Sequence, residues 1–217
     1  MSSTSRGAVR QEFDYYATPA RPIEDFLKAW RHDDAHAATM MDQGPILDPC
    51  AGGNRSEVQW EYKPARNGKP AQFVTVPPSL MAYPSVINPM LHTTMITNDL
   101  RPDSPAQYHV DATDPEALGK LPRFAVAITN PPFALAMGVI KATLELLPPT
   151  GYLALLLRLN FMGSEERSAF MRAQPPQRLY VHSKRISFIG GAMDSVEYAH
   201  FVWQKGALND STIMRVI

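Results

Sequence analysis

Apolar side chains recur at intervals of three and four residues in two parts of the chain, and this spacing predicts helices. In the first part, Ile23, Phe26, Leu27 and Trp30 follow the pattern. In the second part, the apolar face extends over residues 134–147 and ends at a Pro-Pro-Thr-Gly sequence, where proline stops a helix. Two further helices are predicted over residues 85–95 and after Ser164.

Short apolar runs between the predicted helices are typical of buried strands. These runs cover residues 45–48, 95–99, 108–111, 124–129, 152–159, 178–182 and 198–204. Strands that alternate with helices predict an α/β fold, in which a mostly parallel sheet carries helices on both faces. The last two runs are expected to pair as a C-terminal β-hairpin at the edge of the sheet.

Composition narrows the class of protein without changing this fold prediction. A chain of 217 residues with 45% hydrophobic and 19% charged residues fits one globular domain and excludes a disordered protein. A polar lead-in over residues 1–14 is expected to be mobile. The single cysteine cannot form an internal disulfide, and no apolar run is long enough to cross a membrane. We therefore expect a soluble, cytoplasmic protein.

Polar and turn-forming residues follow four of the predicted strands. Asp48, Asp99 and Asp111 each end a strand, and the sequence Asn-Pro-Pro-Phe at 130–133 follows the next. Ligands of open α/β sheets bind at these carboxyl ends. The glycines that follow Asp48 would let backbone approach a ligand closely, and an acid at the end of the second strand can accept hydrogen bonds from a ribose. The pattern predicts a nucleoside site with a second pocket beside it.

The spacing of the glycines argues against a nucleotide with phosphate groups. Gly52 and Gly53 are adjacent, so the G-x-G-x-x-G pattern of dinucleotide sites is missing. The sequence Gly68-Lys69-Pro70 lacks the spacing and the hydroxyl residue of a Walker A loop. S-adenosylmethionine, which has a ribose but no phosphate, fits better.

Three segments together resemble a known enzyme family. They are Tyr-Ala-Thr-Pro at 16–19, Asp-Pro-Cys-Ala-Gly-Gly at 48–53 and Asn-Pro-Pro-Phe at 130–133. They are similar to motifs of S-adenosylmethionine-dependent adenine DNA methyltransferases, and most of all to the small phage and prophage members. Residues 157–161 and 184–188 strengthen the likeness, which covers about residues 12–206. The resemblance implies a Rossmann-like class I methyltransferase fold and a protein of phage or prophage origin in a bacterial host.

The resemblance also implies a set of cofactor-binding residues. Asp48 and the glycine turn would hold the methionine end of S-adenosylmethionine, Asp99 its ribose and Asp111 its adenine amine. Tyr15 or Tyr16 would face the sulfonium in a cation–π contact. The complete set is Tyr15, Tyr16, Thr18, Pro19, Asp48, Pro49, Cys50, Ala51, Gly52, Asp99, Leu100, Asp111, Ala112 and Asn130. No metal is expected. Taken singly, the three aspartates could equally be caps or turn formers.

The Asn-Pro-Pro-Phe turn would carry the chemistry. The exocyclic amine of adenine is a poor nucleophile, and hydrogen-bond acceptors stabilise the charge that develops on its nitrogen during attack. By analogy, the acceptors are the side-chain oxygen of Asn130 and the carbonyl of Pro131. Pro132 helps to hold that carbonyl rigidly, and Phe133 offers a ring on which a flipped base can stack.

Contacts with DNA are implied for Lys184, Arg185, Phe188, Arg158 and Asn160. An additional feature is the 47-residue separation of Gly52 and Asp99, because about 20 residues are usual in a doubly wound unit. Residues 54–80 therefore read as an inserted loop or hairpin, which could contact DNA or be an ordinary surface element. The protein is expected to act as a monomer or as a homodimer.

Several functions share this pattern. The same fold and cofactor could serve an RNA base, the N4 amine of cytosine or a protein glutamine. A methyltransferase-like binding protein without catalysis is a further alternative. The balanced charge of 21 basic and 21 acidic residues provides no overall positive field toward nucleic acid, although a local basic surface is compatible with it.

Overall fold

The computed structural model describes residues 18–63, 65, 67–76, 78–188, 196–207 and 211–217. The helices are α1 (Ala20–Asp33), α2 (Ala35–Gln43), α3 (Ala82–Leu91), α4 (Pro115–Leu118), α5 (Ala136–Leu146) and α6 (Glu165–Ala173), with a 3₁₀ helix at Leu159–Met162. The strands are β1 (Ile46–Asp48), β2 (Val58–Lys63), β3 (Gln72–Val76), β4 (Ile96–Thr97), β5 (Val126–Thr129), β6 (Tyr152–Arg158), β7 (Arg178–Val181), β8 (Tyr198–Gln204) and β9 (Ile213–Val216).

Seven of these strands form one mixed sheet in the order β4-β1-β5-β6-β8-β7-β9. The strand β8 is antiparallel to both of its neighbours, whereas the other neighbouring pairs are parallel. The predicted α/β class with a mostly parallel sheet is therefore confirmed. Because the four parallel strands β4, β1, β5 and β6 point the same way, their carboxyl ends meet along one edge, and this is where the candidate site forms.

The predicted pairing of the last two apolar runs is correct, but their predicted place at the sheet edge is wrong. Strands β7 and β8 are antiparallel partners, yet β8 lies inside the sheet between β6 and β7. The edge position is taken by β9, which pairs with β7 in parallel. All four residues of β9 are exposed although three of them are apolar, and no strand was predicted at these residues.

The strand predicted at residues 108–111 does not form, and only one bridge joins Asn98 to Tyr108. The reason is that the side chain of Asn98 makes the hydrogen bonds that the backbone of a neighbouring strand would otherwise make. The amide of Asn98 donates to the carbonyl oxygen of Val110 at 3.0 Å and accepts from its N–H at 2.9 Å. These bonds satisfy the backbone of Val110 and hold the segment beside β4 without a ladder.

Helices cover both faces of the sheet, as predicted. On one face, α1, α2 and α3 pack against alternate strand residues such as Ile46 and Val126. On the other face, α4, α5 and α6 pack against the intervening residues, such as Leu47 and Ala127. The alternation follows from the two-residue repeat of a strand. None of the described helices has the length and apolar character that crossing a membrane requires.

The segment between β1 and α3 contains an antiparallel hairpin of its own. Its strands β2 and β3 pair from Val58–Val76 onward and form a separate two-stranded sheet. At the base of the hairpin, the backbones of Asn54 and Ser79 exchange two hydrogen bonds of 3.0 and 3.1 Å. The insertion thus begins and ends at the glycine turn that follows β1.

Candidate active site

A cleft lies at the carboxyl ends of β1, β4 and β5. It gathers residues that are far apart in the chain, and ten of the predicted site residues line it: Thr18, Pro49, Cys50, Ala51, Asp99, Leu100, Asp111, Ala112, Asn130 and Pro132. Ala82, Tyr83, Arg101, Thr113, Leu135 and Val139 complete the lining and were not predicted from the sequence. Leu100 and Leu135 are about half exposed, so they offer apolar surface to a ligand.

The remaining predicted residues lie around this cleft. Asp48 is fully buried beneath it, and Pro19 lines a separate groove beside α1. Pro131 is buried, and Phe133 lies half-buried next to the cleft. Tyr15, Tyr16 and the predicted mobile lead-in at residues 1–14 lie outside the described residues.

The glycine turn after β1 has a backbone that favours glycine. Gly52 and Gly53 have φ angles of 68° and 79°, which side chains with a Cβ rarely adopt. A Cβ added to Gly53 would also come within 3.0 Å of the Pro105 ring. The turn therefore follows from the Gly-Gly sequence, and the absence of a Cβ at Gly53 lets Pro105 pack closely against it.

Asp48 supports this turn from below. One of its carboxylate oxygens accepts a hydrogen bond from the Cys50 N–H at 3.2 Å. Burial raises the pKa of Asp48 to about 7, although the nearby Thr129 hydroxyl and the hydrogen bond from the Cys50 amide oppose the change, and the charge of Asp99 adds to it. Asp48 thus acts on a ligand through the backbone that it shapes.

Asp99 lies at the end of β4, and the protein itself contacts both of its oxygens. Oδ2 accepts from the Gly52 N–H at 2.8 Å, and Oδ1 accepts from the Arg101 N–H at 3.0 Å and from its Nε at 3.1 Å. The ribose hydroxyls of a nucleoside would share these oxygens with the protein. Asp99 is therefore held in place before any ligand binds.

The partner of Asp99 was missed by sequence reasoning. The Arg101 side chain is only 7% exposed. Besides Asp99, it donates to the carbonyl oxygen of Gly53 at 2.6 Å and to Oδ1 of Asn54 at 3.1 Å. One guanidinium therefore joins Asp99, the glycine turn and the base of the hairpin. The only signal in the sequence was a basic residue two positions after Asp99.

Asp111 follows the segment that is held by Asn98, and its side chain is exposed at the rim of the cleft. Its Oδ1 accepts from both the N–H and the hydroxyl of Thr113, at 2.8 and 2.7 Å. These bonds fix the carboxylate, whose other oxygen can accept from an amine such as that of a cofactor adenine.

Asn130 is the point at which two of the sequence motifs meet. Its amide nitrogen donates to the Thr18 hydroxyl at 3.0 Å, across a separation of 112 residues. Thr18 is 6% exposed, so the contact is protected from water. The nitrogen end of the amide is therefore directed at Thr18, and its oxygen end, which is buried, is directed elsewhere.

Beside the turn at 130–133 lies an aromatic cluster formed by Phe133, Phe188 and Tyr198. The rings of Phe133 and Tyr198 are 5.9 Å apart, and those of Phe188 and Tyr198 are 5.1 Å apart. The guanidinium of Arg158 lies 4.9 Å above the Phe133 ring. Phe188 and Tyr198 are buried, so half-buried Phe133 is the ring of this cluster on which a flat apolar group could stack next to Asn130.

The other predicted DNA contacts surround this cluster. Lys184, Arg185 and Asn160 are exposed, and Arg185 makes a loose ion pair with Glu197 at 3.9 Å. Phe188, in contrast, is 8% exposed and packs within the cluster. Within the described ranges, no group of three or more His, Cys, Asp or Glu residues could hold a metal ion.

Comparisons with known proteins identify the fold. No protein-family model and no characterised protein matches the chain by sequence. A putative class I S-adenosylmethionine-dependent methyltransferase from Listeria monocytogenes matches by structure with a TM-score of 0.57 and 12% identity, over 93% of this chain and 65% of that one. The fold is that of the class I methyltransferases.

Two restriction-enzyme structures are similar as well. The type IIG restriction endonuclease BpuSI matches with a TM-score of 0.55 and 12% identity, over 90% of this chain and 26% of that one. The M protein of the type I restriction enzyme EcoKI matches with a TM-score of 0.51 and 12% identity, over 81% of this chain and 44% of that one. This chain therefore spans less than half the length of either protein.

Proposed function

We propose that this protein is a DNA methyltransferase that transfers a methyl group from S-adenosylmethionine to the N6 amine of adenine. The observation that carries the proposal is the position of Asn130, between the cleft and the aromatic cluster. Two of the similar structures belong to restriction enzymes, which supports DNA as the substrate.

S-adenosylmethionine is the expected cofactor, and the residues of the cleft fit it. The glycine turn offers backbone to its methionine end, Asp99 can accept from its ribose, and Asp111 can accept from its adenine amine. Leu100 and Leu135 offer apolar surface for the adenine ring. Asn98 maintains this arrangement because it holds the segment that leads to Asp111.

When bound, S-adenosylmethionine supplies a methyl group on a positively charged sulfur. The protein's part is to orient the adenine amine and to stabilise the positive charge that develops on its nitrogen. The Asn130 oxygen and the Pro131 carbonyl would accept hydrogen bonds from the two amine protons. The methyl group would pass to that nitrogen by direct displacement from the sulfur, which would keep the bonding electrons, and one amine proton would then pass to water. No covalent bond to the protein is needed.

DNA would bind at the same edge of the sheet. Phe133 and the aromatic cluster would receive the flipped base, whose removal from the stack costs a few kcal/mol. We assign backbone contacts to Lys184, Arg185, Arg158 and Asn160, and support of the stacking surface to Phe188. The hairpin β2–β3 is a candidate for a further DNA contact. We also propose that residues 1–217 form one domain. The protein would act in the cytoplasm of a bacterial host and would originate from a phage or prophage.

The test is methyl transfer from isotope-labelled S-adenosylmethionine to unmethylated DNA, RNA and protein in parallel, followed by mass spectrometry of the products. Labelled N6-methyladenine from DNA alone is the expected result. The variant Asn130→Ala is the matched control and should show no label. Label in RNA, in cytosine N4 or in protein glutamine would show that this group, and not the N6 amine of adenine in DNA, is the substrate. Cofactor binding without any transfer would favour a non-catalytic binding protein.

A further inference from the structure

A basic side chain covers part of the aromatic cluster. Arg158 is the last residue of β6, and its guanidinium carbon lies 4.9 Å from the centre of the Phe133 ring. Its Nε donates to the Tyr198 hydroxyl at 3.3 Å. Arg158 therefore bridges two rings of the aromatic cluster, of which Tyr198 is buried and Phe133 is half-buried.

The contacts that Arg158 makes with Phe133 and Tyr198 are weak and easily broken. A cation–π contact at a partly exposed site changes an equilibrium by only about two- to fivefold. The bond to Tyr198 is longer than the usual value of about 2.9 Å for N–H···O bonds. Since the Arg158 side chain is half-buried at the end of a strand, solvent and ligands can reach it. Arg158 is thus well placed to exchange one partner for another.

Phe133 has little other surface to offer to a base. The ring packs against one of the main core clusters and also against the buried group of Leu156, Ile186, Phe188 and Tyr198. The guanidinium of Arg158 lies over the same ring. A base that places its amine at Asn130 and stacks on Phe133 would need the space that the guanidinium occupies.

We propose that Arg158 is a placeholder for the target base. In the free protein its guanidinium stacks on Phe133, and on DNA binding it leaves the ring and contacts a phosphate beside the flipped nucleotide. Arginine suits both positions, because its planar guanidinium stacks on aromatic rings and its fork of N–H groups binds phosphate. Arg158 is thus a positioning residue, and the proposal rests on the proposed function.

The placeholder role predicts opposite effects on two ligands of the variant Arg158→Ala. With S-adenosylhomocysteine filling the cofactor cleft, free adenosine should bind about threefold more tightly than to the wild type, because its competitor is gone. The KM for unmethylated DNA should rise about tenfold, because a phosphate contact is lost. Calorimetry measures the first effect, and labelled methyl transfer measures the second.

Three controls make the result specific. Arg123→Ala removes an exposed arginine just before β5, at the opposite edge of the sheet, and should change neither ligand. Phe133→Ala should abolish adenosine binding, which shows that adenosine reports on this ring. Arg158→Lys keeps the charge without the planar stack, so it should hold the KM for DNA within about threefold of the wild type. The melting temperature of each variant shows whether it is folded.

The outcomes are separable. If Arg158→Ala binds adenosine no more tightly than the wild type does, the placeholder role is wrong. If Arg158→Ala instead binds both adenosine and DNA more weakly than the wild type does, Arg158 is a part of the base pocket. If the wild type methylates no DNA, the proposed function fails, and the adenosine measurement still tests whether Arg158 competes for the Phe133 ring.

Discussion

The cofactor cleft and the aromatic cluster lie side by side, but they are held together in different ways. In the cleft, Asp99 and Arg101 are buried and joined to the glycine turn by a closed set of hydrogen bonds of 2.6–3.1 Å. At the cluster, one half-buried arginine makes a ring contact at 4.9 Å and a bond of 3.3 Å.

This difference matches the demands of the two ligands that we propose, S-adenosylmethionine and a flipped adenine. A cofactor that enters a preorganised cleft loses little free energy to ordering the protein. A base that must first leave a duplex requires a surface that can be uncovered. The comparison therefore suggests that substitutions on the cleft side will affect stability and cofactor affinity together, whereas those on the cluster side will affect the substrate alone.

The largest effect is expected at the boundary between the two regions. Asn130→Ala removes the acceptor for the substrate amine, and kcat should fall by a factor of about 100 to 1000 or more. Affinity for S-adenosylhomocysteine should stay within about threefold, because the rest of the cleft remains. Single-turnover transfer and calorimetry measure the two quantities. Wild-type turnover by this variant would contradict the assigned mechanism.

The next effect tests how rigidly the cleft is held. Arg101→Leu leaves Asp99 buried without its guanidinium partner, so the free energy of unfolding should fall by about 3 kcal/mol. Affinity for S-adenosylhomocysteine should fall with it. The matched control is Arg21→Leu, whose ion pair with Asp25 is exposed and should contribute less than about 1 kcal/mol. Urea unfolding measures the free energy of unfolding of both variants. Equal losses would show that Arg101 stabilises the protein no more than an ordinary surface pair does.

A pH effect follows from Asp48. Its pKa is about 7 in the folded protein and near the ordinary 3.8 when unfolded, so its contribution to stability is present at low pH and is lost as the pH rises through 7. Asp48→Asn has no such loss. Relative to the wild type, the variant should therefore gain stability between pH 4 and pH 8.

A buried histidine supplies the opposite sign as a control. Burial lowers the pKa of His182 to about 4 from an ordinary value of 6.5, so the wild type loses stability as the pH falls through this range. His182→Gln should gain relative stability as the pH falls, whereas Asp48→Asn should gain as it rises. Urea unfolding at several pH values tests both, and parallel curves for Asp48→Asn and the wild type would show that this carboxyl does not titrate as described.

The smallest effect is expected for the hydrogen bond between Asn130 and Thr18, which joins the Asn-Pro-Pro-Phe and Tyr-Ala-Thr-Pro motifs. Thr18→Val removes the hydroxyl that accepts from Asn130 and keeps the shape of the side chain. A lost hydrogen bond of about 1 kcal/mol should lower kcat about fivefold, through a less well oriented amide. Thr39→Val, which removes an exposed hydroxyl of α2, is the control and should leave kcat unchanged. An unchanged kcat in Thr18→Val would show that Asn130 is oriented without Thr18.

Much of the fold was accessible from local patterns. The helix containing Phe26 and Trp30, the strands around the Asn-Pro-Pro-Phe turn and the mostly parallel sheet were all predicted from periodicity and turn residues. Strand β9 was not predicted, because its short run of four residues becomes a strand through its pairing with β7 at the edge of the sheet. The strand predicted at 108–111 was wrong because the side chain of Asn98, distant in sequence, replaces its ladder.

Local sequence patterns were enough to predict the alternation of helices and strands and the places of Asp48, Asp99 and Asn130 at or just after β1, β4 and β5. Both depend on interactions between near neighbours in the chain, which periodicity and turn chemistry express directly. Packing was needed to hold Asp111 at the cleft through Asn98, to join Asp99 to the base of the hairpin through Arg101, and to bring Thr18 to Asn130 and Arg158 to Phe133. Those contacts join residues brought together only when the helices and the sheet pack, so no local pattern specifies them.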